Sequence, residues 1–416
     1  MHITLRHRHD HCYESVIHDR SVNCIIFYLS VCFNPRGASD PTPRSSAPNT
    51  NNCEYALTPP PAETTSEQLK PGQTSPTPRP TVINEYRGGC GVTKAKGFNE
   101  PANTASAWMV FDLDNGDVIA TKDPHGRYRP ASVIKALLAL VALDELNLKA
   151  KVKITAEDAN QEGSAVGYVD GVEYTNEQLL YGLLLNSGND AAHALAQRLG
   201  GDNKTLEKVN ALAHSLGTVD TYAASYSGLD APGMSTSAHD LALIYSHAWK
   251  NPTFAKMVAT EHIELPGNAA TPTFQVWNDN GLFLNDEHGI GGKTGYTDDA
   301  HHTFVGAKNI DGRRLAAVIL DTTVEQGRPW QQAQKLIDAA YAVPRGEKVG
   351  NLKETSIPSQ PSPSELPTPP TPEEGDAPSR DRNHAPVLVI GGATLGLVVL
   401  GILTWFLGRK KHDRKA

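Results

Sequence analysis

A serine and a lysine three positions apart, Ser132 and Lys135, are the residues whose types and spacing most clearly predict chemistry. Pro130 sets the first turn of a predicted helix, and the two side chains then lie on one helical face. The other residues up to Leu143 are apolar, so we expect this helix to be buried. A buried lysine either finds partners or lowers its pKa, and a neutral lysine beside a hydroxyl is a general base that activates serine as a nucleophile.

Two further short motifs follow in the chain, Ser187-Gly188-Asn189 and Lys293-Thr294-Gly295. Each motif alone has a plain structural interpretation: the serine of the first could cap a helix, the second could be only a turn, and the third a strand with a solvated lysine. All three occur in order, in the context of a buried helix start, a helix-to-helix turn and a strand. Together they favour a site for acyl transfer, which needs a nucleophile, a base, a proton for the leaving amine and donors for the oxyanion.

The first two motifs are expected to carry the proton transfers. Ser132 is the nucleophile and Lys135 is the base. Ser187 passes a proton to the departing amine, and Asn189 holds both the substrate amide and Lys135.

The third motif is expected to bind the substrate. Lys293 is a cation on a sheet edge, where it both lowers the pKa of Lys135 and attracts a carboxylate. Thr294 adds a hydroxyl for that carboxylate, and Gly295 lets the substrate backbone approach.

These motifs resemble those of the penicillin-recognising serine hydrolases, and within them the low-molecular-mass penicillin-binding proteins that are D-alanyl-D-alanine carboxypeptidases. The similarity covers residues 98–345 and includes LLNSGNDAA at 184–192, SGL at 227–229 and GIGGKTGYT at 289–297. It implies a serine enzyme without metal or cofactor that removes the terminal D-alanine from peptidoglycan pentapeptide stems through an acyl-enzyme, and that β-lactam antibiotics inhibit. It also implies an oxyanion hole made by the backbone N–H groups of Ser132 and Tyr296.

The sequence departs from many such relatives at His301-His302, where they have a small residue, so the substrate contacts at that edge of the cleft stay open. A β-lactamase would share the nucleophile and add a glutamate that positions water for deacylation. Residues 218–236 contain no glutamate, so we expect slow hydrolysis of a penicilloyl-enzyme. Two more hypotheses stay open: a non-catalytic module that binds peptidoglycan or penicillin, and endopeptidase or transpeptidase action by the same residues.

Strand and helix patterns predict an α/β (α+β) fold, which the resemblance identifies as β-lactamase/transpeptidase-like. One antiparallel sheet from N- and C-terminal segments is flanked by helices and carries an inserted helical lobe. The predicted strands are 106–113, 117–121, 292–297, 303–308 and 313–321. The predicted helices are one from Ser132 onward, 176–185 with a capping box of Thr175 and Gln178, 191–199 capped by Asp190, 203–216, 238–250 and 329–341. The stretch 157–173 is expected to be irregular.

Composition divides the chain of 416 residues, which has a net charge of −8. It lacks a basic stripe interleaved with aromatic residues, so no nucleic-acid partner is expected. Pro, Ser and Thr dominate residues 40–82 and 346–385, which have too few large apolar residues for a core. The expected segments are a leader (1–39), a Pro-rich extracytoplasmic segment (40–97), the catalytic domain (98–345), a Pro-rich linker (346–385), a transmembrane helix (386–407) and a basic tail (408–416).

The C-terminal region predicts a membrane anchor. Residues 386–407 carry no charge over a length that can cross a bilayer, and basic residues follow at once. By the positive-inside rule the tail is cytoplasmic and the catalytic domain lies outside. The predicted location is the cell membrane, in a single-pass arrangement with the lipid bilayer as a partner.

Cysteine usage is consistent with export. Removal of the leader leaves Cys53 and Cys90. Outside the membrane such a pair is expected to form a disulfide, with two free thiols as the competing hypothesis.

Overall fold

A seven-stranded antiparallel sheet organises the structure, a computed structural model that describes residues 42–69, 71–72, 74, 76 and 90–353. In chain order the strands are β1 (Val92–Lys94), β2 (Ala107–Asp112), β3 (Asp117–Lys122), β4 (Lys151–Lys153), β5 (Glu173–Thr175), β6 (His262–Leu265), β7 (Phe274–Trp277), β8 (Gly289–Thr297), β9 (His301–Ile310), β10 (Arg313–Thr322) and β11 (Gly350–Asn351). The helices are α1 (Lys135–Glu145), α2 (Ala156–Ala159), α3 (Asn176–Leu185), α4 (Asn189–Arg198), α5 (Asp202–Ser215), α6 (Ala238–Ala248), α7 (Pro252–Val258), α8 (Gly281–Asn285) and α9 (Pro329–Tyr341).

The strand order confirms the predicted fold class. The sheet runs β1-β3-β2-β10-β9-β8, with β11 also paired to β3, so N-terminal and C-terminal segments meet in one sheet around the helices. β4 pairs with β5 and β6 with β7 in two small additional sheets. β1 and β11 lie outside residues 98–345, so the sheet extends beyond the predicted catalytic range at both ends.

Helices cover both faces of the sheet. Along β2, Trp108 and Val110 belong to the apolar cluster that includes residues of α8 and α9, whereas Met109 and Phe111 belong to the larger cluster with residues of α1 and α3 to α7. This alternation follows from the two-residue period of a strand. Because helices cover both faces of the sheet, all six residues of β2 are buried.

The central helix α1 is buried from Lys135 to Ala142, as its apolar sequence predicts. Ser132 lies at the N-terminus of this helical segment, as predicted, but the first turn is not α-helical. A single turn of 3₁₀-helix (Ala131–Ile134) comes first, and Ala131 has a φ of 48°. Tertiary contacts around the serine, described below, impose this tighter turn.

Of the local predictions for helix starts, one is confirmed and one is wrong. The predicted capping box of Thr175 and Gln178 is present at the start of α3. The predicted cap at Asp190 is wrong, because α4 begins at Asn189 and the Asp190 carboxylate instead accepts hydrogen bonds from the backbone of Val166 and Gly167, at 3.0 and 2.9 Å. The stretch 157–173 is not entirely irregular, since α2 enters it and β5 begins at its end.

Residues 42–69, here called the N-terminal arm, contain no helix or strand and pack against residues 90–353, here called the catalytic unit. Cys53 in the arm is bonded to Cys90, just before β1, with an S–S distance of 2.05 Å. The expected leader, transmembrane helix and basic tail lie outside the described residues. Within residues 42–69 and 90–353, no helix is long and apolar enough to span a bilayer.

Candidate active site

Distant parts of the chain fix the segment that carries Ser132. Thr303 of β9 donates its hydroxyl to the carbonyl oxygen of Pro130 at 2.8 Å. Gly228 packs against the segment, where a Cβ would lie only 2.2 Å from the carbonyl oxygen of Ala131. Gly228 also has a φ of 87°, which favours glycine. These contacts hold the half-buried Ser132 side chain at the wall of a cavity.

The amino group of Lys135 lies at the centre of the site and is completely buried. Its Nζ is 2.8 Å from Ser132 Oγ and 2.7 Å from Asn189 Oδ1, and it also donates to the carbonyl oxygen of Ser227. The amide and carbonyl oxygens can only accept hydrogen bonds. A neutral amine has two hydrogens and one lone pair, so it satisfies both acceptors and leaves its lone pair for the Ser132 proton.

Electrostatics favour this neutral form. Burial is the largest cause that lowers the pKa of Lys135, and the positive charge of Lys293 lowers it further. The charges of Asp279 and Asp190 act in the opposite direction, yet the pKa stays well below its usual value. The lysine is therefore suited to accept a proton from the adjacent serine.

Ser187 and Asn189 lie at the turn between α3 and α4, and Ser187 has a φ of 63°. Asn189 donates through Nδ2 to the carbonyl oxygen of Glu162 at 2.6 Å, which directs its Oδ1 toward Lys135. The Ser187 hydroxyl is buried and has no hydrogen-bond partner among the residues that the structure describes. A substrate group can therefore pair with it without breaking a hydrogen bond within the protein.

β8 runs past the 3₁₀ turn of Ser132 and brings the third motif to the site. A Cβ on Gly295 would lie 3.0 Å from the backbone nitrogen of Ser132 and 2.3 Å from Thr303 Oγ1. Only glycine fits at this close approach. Tyr296 follows Gly295 directly, and its backbone N–H stays a prediction as the second donor of the oxyanion hole.

Lys293 and Thr294 form a polar row with Asp279. The buried Lys293 Nζ donates to the carbonyl oxygen of Thr294 at 3.0 Å and to its Oγ1 at 3.3 Å. The Thr294 hydroxyl donates to Asp279 Oδ2 at 2.8 Å. Burial lowers the pKa of Lys293 and the Asp279 charge raises it. One cation and one hydroxyl side by side suit a carboxylate, which would replace Asp279 as the acceptor of the Thr294 proton.

The structure thus links seven of the residues predicted for catalysis and substrate binding by contacts or chain adjacency around Ser132 and Lys135, places Ser187 two positions before Asn189, and adds three residues that were not predicted. Ser227 supplies a carbonyl oxygen to Lys135, Gly228 packs on the serine segment, and Asp279 pairs with Thr294. The SGL motif signalled the first two, whereas nothing in the sequence marks Asp279. Among the described residues, no group of His, Cys, Asp or Glu is arranged to hold a metal ion.

The two histidines after β8 have different positions. His301 lies 2.6 Å through Nδ1 from Asp321 Oδ1. Burial lowers the pKa of His301, but the hydrogen bond and charge of Asp321 outweigh burial and raise it overall. The His302 ring packs on Tyr296, with 4.7 Å between ring centroids. In the pairing of β8 with β9, His302 lies opposite Tyr296 and His301 lies opposite Thr297.

Comparison with known proteins gives consistent matches. The family described as D-alanyl-D-alanine carboxypeptidase matches residues 94–324. D-alanyl-D-alanine carboxypeptidase DacB2 of Mycobacterium tuberculosis is 44% identical over 256 residues, which are 61% of this chain and 87% of that protein.

Solved structures agree with this match. A crystal structure of a D-alanyl-D-alanine carboxypeptidase from Mycobacterium tuberculosis has a TM-score of 0.60 and 42% identity, covering 62% of this chain and 99% of that chain. A DD-transpeptidase from Streptomyces has a TM-score of 0.56 and 28% identity, covering 59% of this chain and 100% of that chain. The matched range 94–324 is more than half of the chain and contains all three motifs. The chain therefore belongs to the D-alanyl-D-alanine carboxypeptidase family.

Proposed function

We propose that this protein is a serine-type carboxypeptidase that removes the terminal D-alanine from peptidoglycan pentapeptide stems and is inhibited by β-lactams. One observation carries the proposal: the buried Lys135 Nζ lies 2.8 Å from Ser132 Oγ, and its other two partners are acceptors that turn its lone pair toward the serine. The substrate class is supported by relatives that are named D-alanyl-D-alanine carboxypeptidases.

Acylation follows from the placement of these groups. Lys135 accepts the proton of Ser132 Oγ while that oxygen attacks the carbonyl carbon between the two D-alanines. The negative charge on the carbonyl oxygen is stabilised by the backbone N–H groups of Ser132 and Tyr296. When the C–N bond breaks, the departing amine takes a proton that Lys135 returns through Ser187. D-alanine leaves, and its carboxylate is released from Lys293 and Thr294.

Deacylation needs an acceptor for the acyl group. Attack by water regenerates Ser132 and gives carboxypeptidase activity, whereas attack by an amine gives transpeptidation. The similarity to a Streptomyces DD-transpeptidase favours transpeptidation as a second candidate activity of the same site. Measuring the partition between hydrolysed and aminolysed product in the presence of a D-amino acid separates the two.

We further propose that the enzyme acts outside the cell, anchored by residues 386–407. The uncharged stretch and the basic residues after it support this location, as does the Cys53–Cys90 disulfide, which persists in oxidising compartments. Fractionation of cells that express the full chain, with protease added outside intact protoplasts, tests the arrangement. Protection of the catalytic domain from the protease would contradict it.

The activity itself is tested by D-alanine release from an N-acetylated pentapeptide that ends in D-Ala-D-Ala. The same peptide with a C-terminal amide is the matched control, because it cannot form the charged contact with Lys293. Loss of the pentapeptide is measured for both, because the free acid releases D-alanine and the amide would release D-alaninamide. We expect the free acid to be cleaved at least about tenfold faster than the amide, since hydrogen bonds to charged groups contribute about 1.5–3 kcal/mol. No release from the free acid would contradict the proposed function.

The rate of Ser132 acylation by benzylpenicillin is expected to rise with pH, because only neutral Lys135 accepts the proton. Lys293→Met removes a charge that lowers the pKa of Lys135, so the pH of half-maximal acylation should move upward. Acylation rates measured across the pH range test this, with Lys149→Met, at an exposed lysine, as the control. An unmoved midpoint in Lys293→Met would contradict the electrostatic assignment.

A further inference from the structure

The N-terminal arm precedes the family match at residues 94–324, and its composition predicts no core of its own. It is nevertheless bound to the catalytic unit by buried polar side chains. Lys122 donates to the carbonyl oxygen of Pro48 at 2.7 Å, and Arg127 donates to that of Leu57 at 2.9 Å. Arg44 pairs with Asp321 at 3.0 Å. These contacts fix the arm along its length.

One anchor of the arm adjoins the strand with the third motif. Asp299 is buried and lies in the short turn between β8 and β9. Its Oδ1 accepts the backbone N–H groups of Glu63 and Thr64 at 2.7 and 2.8 Å. Its Oδ2 accepts the hydroxyls of Thr64 and Ser66 at 2.6 and 2.5 Å. A single carboxylate therefore holds this part of the arm with four hydrogen bonds.

A second anchor adjoins the nucleophile. Arg129, three residues before Ser132, is buried and donates to the carbonyl oxygen of Pro60 at 2.8 Å and to Glu67 Oε1 at 2.7 Å. The other oxygen of Glu67 accepts the backbone N–H of Gly233 at 3.1 Å. The arm between these anchors is thus tied to both the serine segment and the end of β8.

The anchored stretch lines the cavity that contains the nucleophile. The cavity has a volume of about 640 Å³. Its walls include Thr65 and Ser66 of the arm together with Ser132, Asn189, Tyr296 and Asp298.

The direction of β8 indicates which part of the substrate peptide enters this cavity. Lys293 and Thr294, which suit the terminal carboxylate, precede Gly295 in β8. The residues in the cavity wall follow it: Tyr296 and Thr297 end the strand, and Asp298 comes directly after. From Thr294 to Asp298 the chain covers about 13 Å at the usual strand rise. A peptide whose carboxylate lies at one end and whose scissile carbonyl lies at Ser132 must continue toward the other end, into the cavity.

We propose that Thr64, Thr65 and Ser66 of the N-terminal arm form a wall of the substrate site that contacts the stem peptide on the N-terminal side of the scissile bond. This inference rests on the proposed function. Thr65 is exposed at the cavity and is the contact residue. Asp299 is a positioning residue, because it touches the arm and acts through it.

The test is a comparison of kcat and KM for D-alanine release from the N-acetylated pentapeptide and from N-acetyl-D-Ala-D-Ala, which is too short to reach the wall. In Asp299→Ala we expect the KM for the pentapeptide to rise about three- to tenfold, the effect of one or two lost contacts, with kcat within about twofold. The dipeptide parameters should stay unchanged. Thr65→Ala, which leaves the anchors intact, should raise the pentapeptide KM about two- to fivefold.

Asp144→Ala is the matched control, since it removes an exposed aspartate of α1. An unchanged pentapeptide KM in both variants would overturn the proposal. A rise in kcat/KM would also overturn it, because the arm would then obstruct the site. If the Asp299→Ala protein does not fold, the pentapeptide KM of Thr65→Ala alone decides whether the proposal holds. Failure of the unsubstituted enzyme to release D-alanine from either peptide would instead refute the proposed function, whatever the arm does.

Discussion

Ser132→Ala is expected to lower the rate of D-alanine release by at least about 10⁴-fold, the scale seen when a serine nucleophile is removed. Without Oγ no acyl-enzyme forms, and the oxyanion donors and binding groups that remain supply only residual catalysis. The measurement is the initial rate with the N-acetylated pentapeptide, at substrate concentrations above the KM of the unsubstituted enzyme.

The control for this variant is Ser215→Ala, at an exposed serine of α5. It should keep the full rate, and both proteins should unfold at temperatures close to that of the unsubstituted enzyme. Because the Ser132 side chain is only half-buried, its loss should change the free energy of unfolding by no more than about 1 kcal/mol. A folded Ser132→Ala protein with a tenth of the original rate would refute the nucleophile assignment.

Lys135→Arg should lose about 10²- to 10⁴-fold in kcat even though it keeps a positive charge at this position. An arginine side chain stays protonated in proteins and cannot accept the serine proton. Lys135→Met keeps most of the side-chain length and also lacks a base, so it should lose a similar factor. The measurement is single-turnover acylation by benzylpenicillin, which isolates the step that needs the base.

The pair of variants separates two roles for Lys135. If its charge mattered rather than its basicity, Lys135→Arg would acylate at near the original rate while Lys135→Met would not. Thermal unfolding of each protein is the necessary control, because Lys135 is completely buried between three oxygen partners. Lys149→Met and Lys149→Arg, at an exposed lysine, should behave like the unsubstituted enzyme.

Short-range signals in the sequence predicted the local structure well. The capping box of Thr175 and Gln178 sets the start of α3 by hydrogen bonds across three residues, so the sequence contains everything that forms it. The three motifs likewise predicted which residues surround Lys135, since Ser132 and Asn189 lie within hydrogen-bonding distance of it, while their catalytic roles stay a prediction.

Features that depend on distant contacts were not predictable in this way. The 3₁₀ turn at Ser132 is held by Thr303 and Gly228, which lie far along the chain. Asp190 was predicted to cap a helix, yet its carboxylate accepts a hydrogen bond from the backbone N–H of Val166 in a distant loop. Asp279 reaches Thr294 from another segment and has no motif of its own.

The N-terminal arm shows the limit of a composition argument. Its lack of large apolar residues does preclude an independent core. Composition does not show that Arg129 and Asp299 of the catalytic unit are buried and therefore require hydrogen-bond partners. The arm supplies those partners. A Pro-rich segment can thus belong to a folded unit without a core of its own, through polar contacts, the Cys53–Cys90 disulfide and the packing of Tyr55 on Tyr128.

The central claim, a slowly hydrolysed acyl-enzyme on Ser132, is tested most directly by the intact mass of the full protein after brief exposure to benzylpenicillin, followed by peptide mapping. We predict a gain equal to one benzylpenicillin molecule, located on the peptide that contains Ser132, persisting after excess drug is removed, and absent in Ser132→Ala. No adduct with the penicillin left intact would contradict the claim and indicate a non-catalytic module, whereas no adduct with rapidly hydrolysed penicillin would indicate a β-lactamase.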